Sequence, residues 1–248
     1  MSPWTLLALA ALLLALPVTF RSKAPADWEF SGFLAFLWYL NAAYCAIVHR
    51  LVTEPAPLPK SGPAILISNP TCNIDHFLLQ AGCGRKLGFM IAREYYEIWA
   101  FQPFCRLIGC IPVNRDGKDT TATRSALRAL KEGRVLPLFP EGRILTTSGR
   151  EIGKGKPGVA FLATRAKVPV IPAYIRGTPR SNNFPRSFFT PSDARVYYGE
   201  PIDPTRFDLP EGHEAERAAL TTITEMMMGT IRDLRDRADR EDAARPGR

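Results

Sequence analysis

The residues of this 248-residue chain whose types could do chemistry fall mostly in short clusters. The first reads Asn69-Pro-Thr-Cys-Asn-Ile-Asp75-His76 and places an amide, a thiol, a carboxylate and an imidazole close together. A carboxylate with an imidazole supplies the parts of general acid–base catalysis, and a thiol is a nucleophile for acyl transfer. Asn114-Arg115 and Glu141-Gly142-Arg143 add guanidinium groups, which grip phosphate by charge-assisted hydrogen bonds. Lys154 and Lys156 stand just before a helix start, where anions are favoured, although plain surface charge explains them equally well. The histidines are His49, His76 and His213, so an imidazole mechanism has few candidates. Cys72 reads more simply as a small buried side chain, Asp75 as a capping carboxylate and His76 as a partly buried helix residue.

Other chemical patterns fail on context. Gly153-Lys-Gly155-Lys-Pro-Gly158 has the letters of a dinucleotide loop but follows a polar stretch instead of a strand. The chain has no Walker loop, no H-E-x-x-H and no G-x-S-x-G elbow. Its five cysteines form no C-x-x-C pair, which argues against a zinc ribbon or a disulfide scaffold.

The elements that must position the clusters are legible from periodicity. Short apolar runs at Ala64–Ser68, Leu87–Ala92, Cys110–Asn114, Val135–Phe139, Val170–Ile175 and Arg195–Tyr198 read as strands. Helical patterns lie between them, at Thr120–Lys131 with Asp119 as N-cap and Gly133 past its end, and at Pro157–Lys167. A further helix at 212–238 uses the Met226–Met228 triplet as core filler. Alternating strands and helices predict an α/β fold with a mostly parallel central sheet flanked by helices. The polar clusters follow strand ends, where open α/β sheets bind ligands.

Composition narrows the partners. The net charge is +8, of which residues 51–230 hold +6, so the body itself is basic. That suits an anionic membrane or a phosphorylated ligand better than nucleic acid, since no run of five basic residues occurs. The uncharged run Pro3–Phe20 is long enough to cross or nearly cross a bilayer. A signal peptide is the alternative, but no Lys or Arg precedes the run and no A-x-A site follows. Phe33–Val48 reads as an interfacial or second membrane helix, with Trp28, Trp38, Tyr39 and Tyr44 as its aromatic belt. Arg21 and Lys23 predict a body on the cytoplasmic face. The expected organisation is a membrane anchor over 1–50, a proline-rich linker over 51–63, an α/β domain over 64–210, and a C-terminal helix with a charged tail over 211–248.

In order, Asn69…Asp75, Gly109-Cys-Ile-Pro-Val-Asn-Arg115, Phe139-Pro-Glu-Gly142 and Val168-Pro-Val-Ile-Pro172 resemble the four blocks of the glycerolipid acyltransferases. Lysophosphatidate acyltransferases are that family's best-known members. The resemblance implies transfer of a fatty acyl group from acyl-CoA or acyl carrier protein to a lysophospholipid hydroxyl, without a metal or redox cofactor. It implies that Asp75 orients a His base, that Asn69, Glu141 and Gly142 serve the acceptor loop, and that Arg115 and Arg143 hold the acceptor phosphate. Two positions depart from the family pattern. Pro70 stands where the His belongs, leaving His76 as the substitute imidazole, and Arg143 comes one place early. The alternative expectation is therefore an impaired relative that binds lipid or acyl carrier without turnover.

Overall fold

Ala64–Ser68 (β2) is buried at every position, as a strand covered on both faces must be. The computed structural model describes residues 29–99, 101–114, 119–145, 147–181 and 183–244. Around β2 it builds a five-stranded sheet from Val52–Thr53 (β1), Val135–Leu138 (β5), Val170–Arg176 (β6) and Arg195–Tyr198 (β7). The order is β1-β7-β6-β2-β5. β2 runs parallel to both its neighbours, with Ile67 opposite Leu138 and Ser68 opposite Ala173, and the β6–β7 pair is antiparallel. Met90–Ala92 (β3) and Ile111–Val113 (β4) form a small parallel sheet. Only these three residues of the expected strand 87–92 pair as a strand, because Leu87 makes an isolated bridge to Val135 instead.

The period-2 alternation along β2 divides two cores. Ile65 and Ile67 face Thr120–Lys131 (α5), Gly158–Ala166 (α6) and His213–Ala243 (α8), whereas Ala64 and Leu66 face the opposite layer. That layer holds Gly32–Val48 (α1) and Asp75–Ala81 (α2). Arg93–Tyr96 (α3), Gln102–Ile108 (α4) and Phe184–Phe189 (α7) complete the α-helices among the described residues, and Pro204–Arg206 forms a single 3-10 turn. Asp119 caps α5 as its sequence predicts, accepting from the Ala122 N–H at 2.8 Å, while its other oxygen takes the Asn114 N–H at 2.7 Å. In α8, Met227 and Met228 are buried, but Met226 is exposed.

α1 meets the body directly. Trp38, Tyr39, Ala42, Ala43 and Cys45 are buried, the Trp38 indole donates to the Gln80 and Cys83 carbonyls, and the Asn41 amide donates to Phe77 O. No helix among the described residues is long and apolar enough to cross a membrane. This corrects the reading of 33–48 as a possible second span. The helix has 17 residues, and two of its aromatic residues are held by the body, Trp38 at Gln80 and Cys83 and Tyr44 at Phe188. The run Pro3–Phe20, together with Arg21, Lys23 and Trp28, lies outside the described residues. The stretch 51–63 carries β1, buries Ala56 and Leu58, and is tied down by the Ala56 N–H on Gly82 O.

Candidate active site

The parallel register of β2 with β5 and β6 brings three loops to one edge of the sheet, those that begin at Asn69, Phe139 and Gly177. Asn69 is a clamp between strands: its Oδ1 accepts from Ile175 N at 2.8 Å and its Nδ2 donates to Ile175 O at 2.9 Å, all of it buried. Pro70, which follows, is buried and has no group that can titrate.

Asp75, 1% exposed, opens α2 and folds its carboxylate back over the preceding loop. It accepts from the Thr71 N–H at 2.6 Å, the Cys72 N–H at 3.1 Å and the Thr71 hydroxyl. Both of its oxygens are therefore in use, but not as the cap the sequence suggested: Ile74 is the N-cap, no side chain caps the helix, and Asp75 instead ties down the loop before it. Burial pushes its pKa up to about 6, and the bonds from Thr71 and Cys72 oppose the rise. Because the folded value lies above the ordinary one of 3.8, Asp75 contributes most to stability at low pH, and that contribution is lost as pH rises through about 6. Relative to Asp75→Asn, the chain is expected to lose melting temperature between pH 4 and pH 7. A relative gain over that interval would show that the charged form is favoured.

His76 is packed edge-on against Phe89 and Phe139, with ring centroids 4.6 and 5.6 Å away. Burial lowers its pKa to about 4, against a raising effect from the Asn73 backbone, so the ring is neutral at physiological pH. Its neighbours are aromatic rings, while Asp75 is occupied by Thr71 and Cys72. Cys72 is fully buried and its thiol is pushed up to about 12, first by burial and then by the Asp75 charge, which holds it in the unreactive protonated form.

The second part of the site is a cavity of about 480 Å³ beside the end of β5, lined by Glu141, Arg143, Leu145, Gly153, Lys154, Gly155 and Lys156. It brings together Glu141, Gly142 and Arg143 with the two lysines that sequence reasoning left open as surface charge. The loop makes a sharp turn at Gly142, whose φ of +77° suits glycine, and the Lys156 side chain crosses it where a Cβ would come 2.8 Å from Nζ. Lys156 N also donates to Pro140 O, at 2.8 Å. Glu141 is 6% exposed. Its carboxylate accepts from the Gly153 N–H, and among the described residues its Oε1 has no partner. Burial raises its pKa, and the Gly153 bond holds the rise back. Further along, the loop passes over the first cluster, where a Cβ on Gly149 would sit 3.5 Å from Thr71 Cβ.

Arg115 lies outside the described residues. Asn114 just before it is exposed and accepts from Arg93 Nε at 2.6 Å. Thr71, which takes up the Asp75 carboxylate, was missed in the sequence. A threonine four residues before an aspartate carries no signal of its own without the turn that joins them.

This geometry has a counterpart in known proteins. A family model described as Acyltransferase matches residues 49–176, just over half of the chain, and that stretch contains Asn69, Asp75, His76, Glu141, Arg143, Lys154 and Lys156. The chain belongs to the acyltransferase family. A Bacillus subtilis protein named 1-acyl-sn-glycerol-3-phosphate acyltransferase is 24% identical over 154 residues, covering 62% of this chain and 71% of that protein. One from Mycoplasma pneumoniae, named "Probable 1-acyl-sn-glycerol-3-phosphate acyltransferase", is 28% identical over 143 residues, and this chain spans about half of its length, 52%. In fold, the chain is similar to the crystal structure of the 1-acyl-sn-glycerophosphate acyltransferase PlsC from Thermotoga maritima. The TM-score is 0.58, with 21% identity over 79% of this chain and 80% of that one.

Proposed function

We propose that this protein transfers a fatty acyl group from acyl-CoA or acyl carrier protein to the free hydroxyl of a lysophospholipid carrying a phosphate, an acceptor of the kind named in the titles of its relatives. The observation that carries this reading is the cavity holding Arg143, Lys154 and Lys156 at the sheet edge next to the Asn69–Asp75 block. Three cations lining one cavity suit a phosphate monoester, and the resemblance to the family assigns acyl transfer to the block beside them. On this reading the residues bind, orient and move a proton, and the chemistry needs no resident cofactor.

The site is proposed to work at a membrane surface, with the body on the cytoplasmic face. Support comes from side chains that the fold leaves outside: Phe33, Phe36, Leu40 and Ile47 on α1, and Trp99, Phe101 and Phe104 around the start of α4. Trp99 is 86% exposed. An indole in that position belongs at a lipid–water boundary. In anionic vesicles with brominated acyl chains, Trp99→Phe is expected to remove a distinct share of the quenchable tryptophan emission. Unchanged quenching would place Trp99 in water.

The function is tested with the full chain in vesicles, offering labelled acyl-CoA or acyl carrier protein and lysophosphatidate. Labelled phosphatidate is the expected product. A competing reading, lipid or carrier binding without turnover, is favoured by Pro70 and by the saturated Asp75. It predicts retention of lysophosphatidate with no product from either donor.

A further inference from the structure

An acceptor hydroxyl must lose a proton as it attacks a thioester, and three groups at this sheet edge could take it. Asp75 has both oxygens committed to Thr71 and Cys72. His76 is half-buried, packed edge-on against Phe89 and Phe139, and bound to the Asn73 backbone, and it is not among the residues lining the cavity. Glu141 alone combines burial, a place in the cation-lined cavity and an oxygen with no partner among the described residues. A buried carboxylate oxygen without a hydrogen-bond donor is costly, and it is explained if a substrate hydroxyl supplies the donor.

We propose that Glu141 is the general base of this chain, accepting the acceptor hydroxyl's proton on Oε1 in the place left by Pro70. The proposal rests on the acyl-transfer reading above. With the acceptor phosphate held by Arg143, Lys154 and Lys156, the hydroxyl hydrogen-bonds to Oε1 and its oxygen attacks the thioester carbonyl. The new C–O bond forms, the C–S bond breaks with its electron pair going to sulfur, and the proton on Glu141 passes to the thiolate. Glu141 returns to the carboxylate and the donor leaves as a thiol. Gly153 keeps the other oxygen in place: its N–H donates to the carboxylate, and a Cβ there would come 2.6 Å from Oε2. Burial makes this carboxylate a stronger base than an exposed one. The charged groups that line the cavity with it are Arg143, Lys154 and Lys156.

The test compares steady-state acyl transfer to lysophosphatidate by the full chain, Glu141→Gln, Pro70→His and the double variant, in the same vesicles. Glu141→Gln is expected to lower kcat by about 10²–10⁴ with the acceptor KM changed only a few-fold, and Pro70→His is expected to restore turnover in the double variant. In the parent, the acid limb of kcat/KM should sit above the ordinary carboxylate range. Should Glu141→Gln fail to fold, as judged by melting, Glu141→Asp and that acid limb carry the test. A glutamine variant with kcat within about threefold of the parent overturns the proposal, as does an effect confined to KM, and in both cases the acyltransferase reading survives. Turnover by Pro70→His alone, with none in the parent, also overturns it. No turnover by any of the four overturns the acyltransferase reading itself.

Discussion

In the Glu141→Gln background, replacing Pro70 with histidine is expected to raise kcat for acyl transfer by about 100-fold and to add an ionisation between pH 6 and 7 to the rate profile. Position 70 is buried at the end of β2, and Asp75 four residues beyond Thr71 already folds back toward it. An imidazole there has a carboxylate to orient it, once it displaces the Thr71 hydroxyl. That exchange costs about the net worth of one hydrogen bond, roughly 1 kcal/mol, which is small beside the gain from a positioned base. The substitution also lifts the proline's restriction on Asn69, so melting must be followed beside the kinetics. Equal stability with no gain in kcat would show that Asp75 cannot exchange partners and that the loop is built around Thr71.

Asn69→Ala is expected to cost several kcal/mol of stability and to lower the melting temperature by about 10 °C. The single amide satisfies both the N–H and the C=O of Ile175, inside a sheet where neither meets water. Removing it orphans two buried backbone groups at about 1–3 kcal/mol each, a large part of the roughly 5–15 kcal/mol that holds a domain folded. Asn69→Asp should be nearly as damaging at neutral pH, since it keeps an acceptor for the Ile175 N–H but sets a second oxygen against the Ile175 carbonyl. A melting temperature within about 2 °C of the parent for Asn69→Ala would mean that the ends of β2 and β6 are held without the clamp. Asn69 lies in the block that marks the family, so this result also separates its structural share from any direct part in catalysis.

The architecture was legible in the chain because its signals are local. The five-residue apolar run of β2, the Asp119 cap with its helix over 120–131 and the glycine beyond it each depend on neighbours in sequence, and each is found where the pattern puts it. Local pattern failed where contacts between distant segments take over. Leu87–Ala92 is shortened to β3 because Leu87 bridges to Val135, and α1 joins the body because Trp38 finds carbonyls more than forty residues away.

The site divides along the same line. By itself the sequence named the residues that could act, the Asn69–Asp75 block and the Glu141-Gly142-Arg143 turn, and determined the acyltransferase family. Spacing along a chain does not say which groups share a cavity or which hydrogen bonds are already filled. Only the tertiary structure decided that Asp75 is consumed by Thr71 and Cys72, that His76 packs edge-on against Phe89 and Phe139, and that Lys154 and Lys156 line one cavity with Arg143. It left Glu141 with a free oxygen among the described residues for the same reason. Hydrogen-bond satisfaction is settled by groups that parallel strand pairing brings together from far apart in the chain.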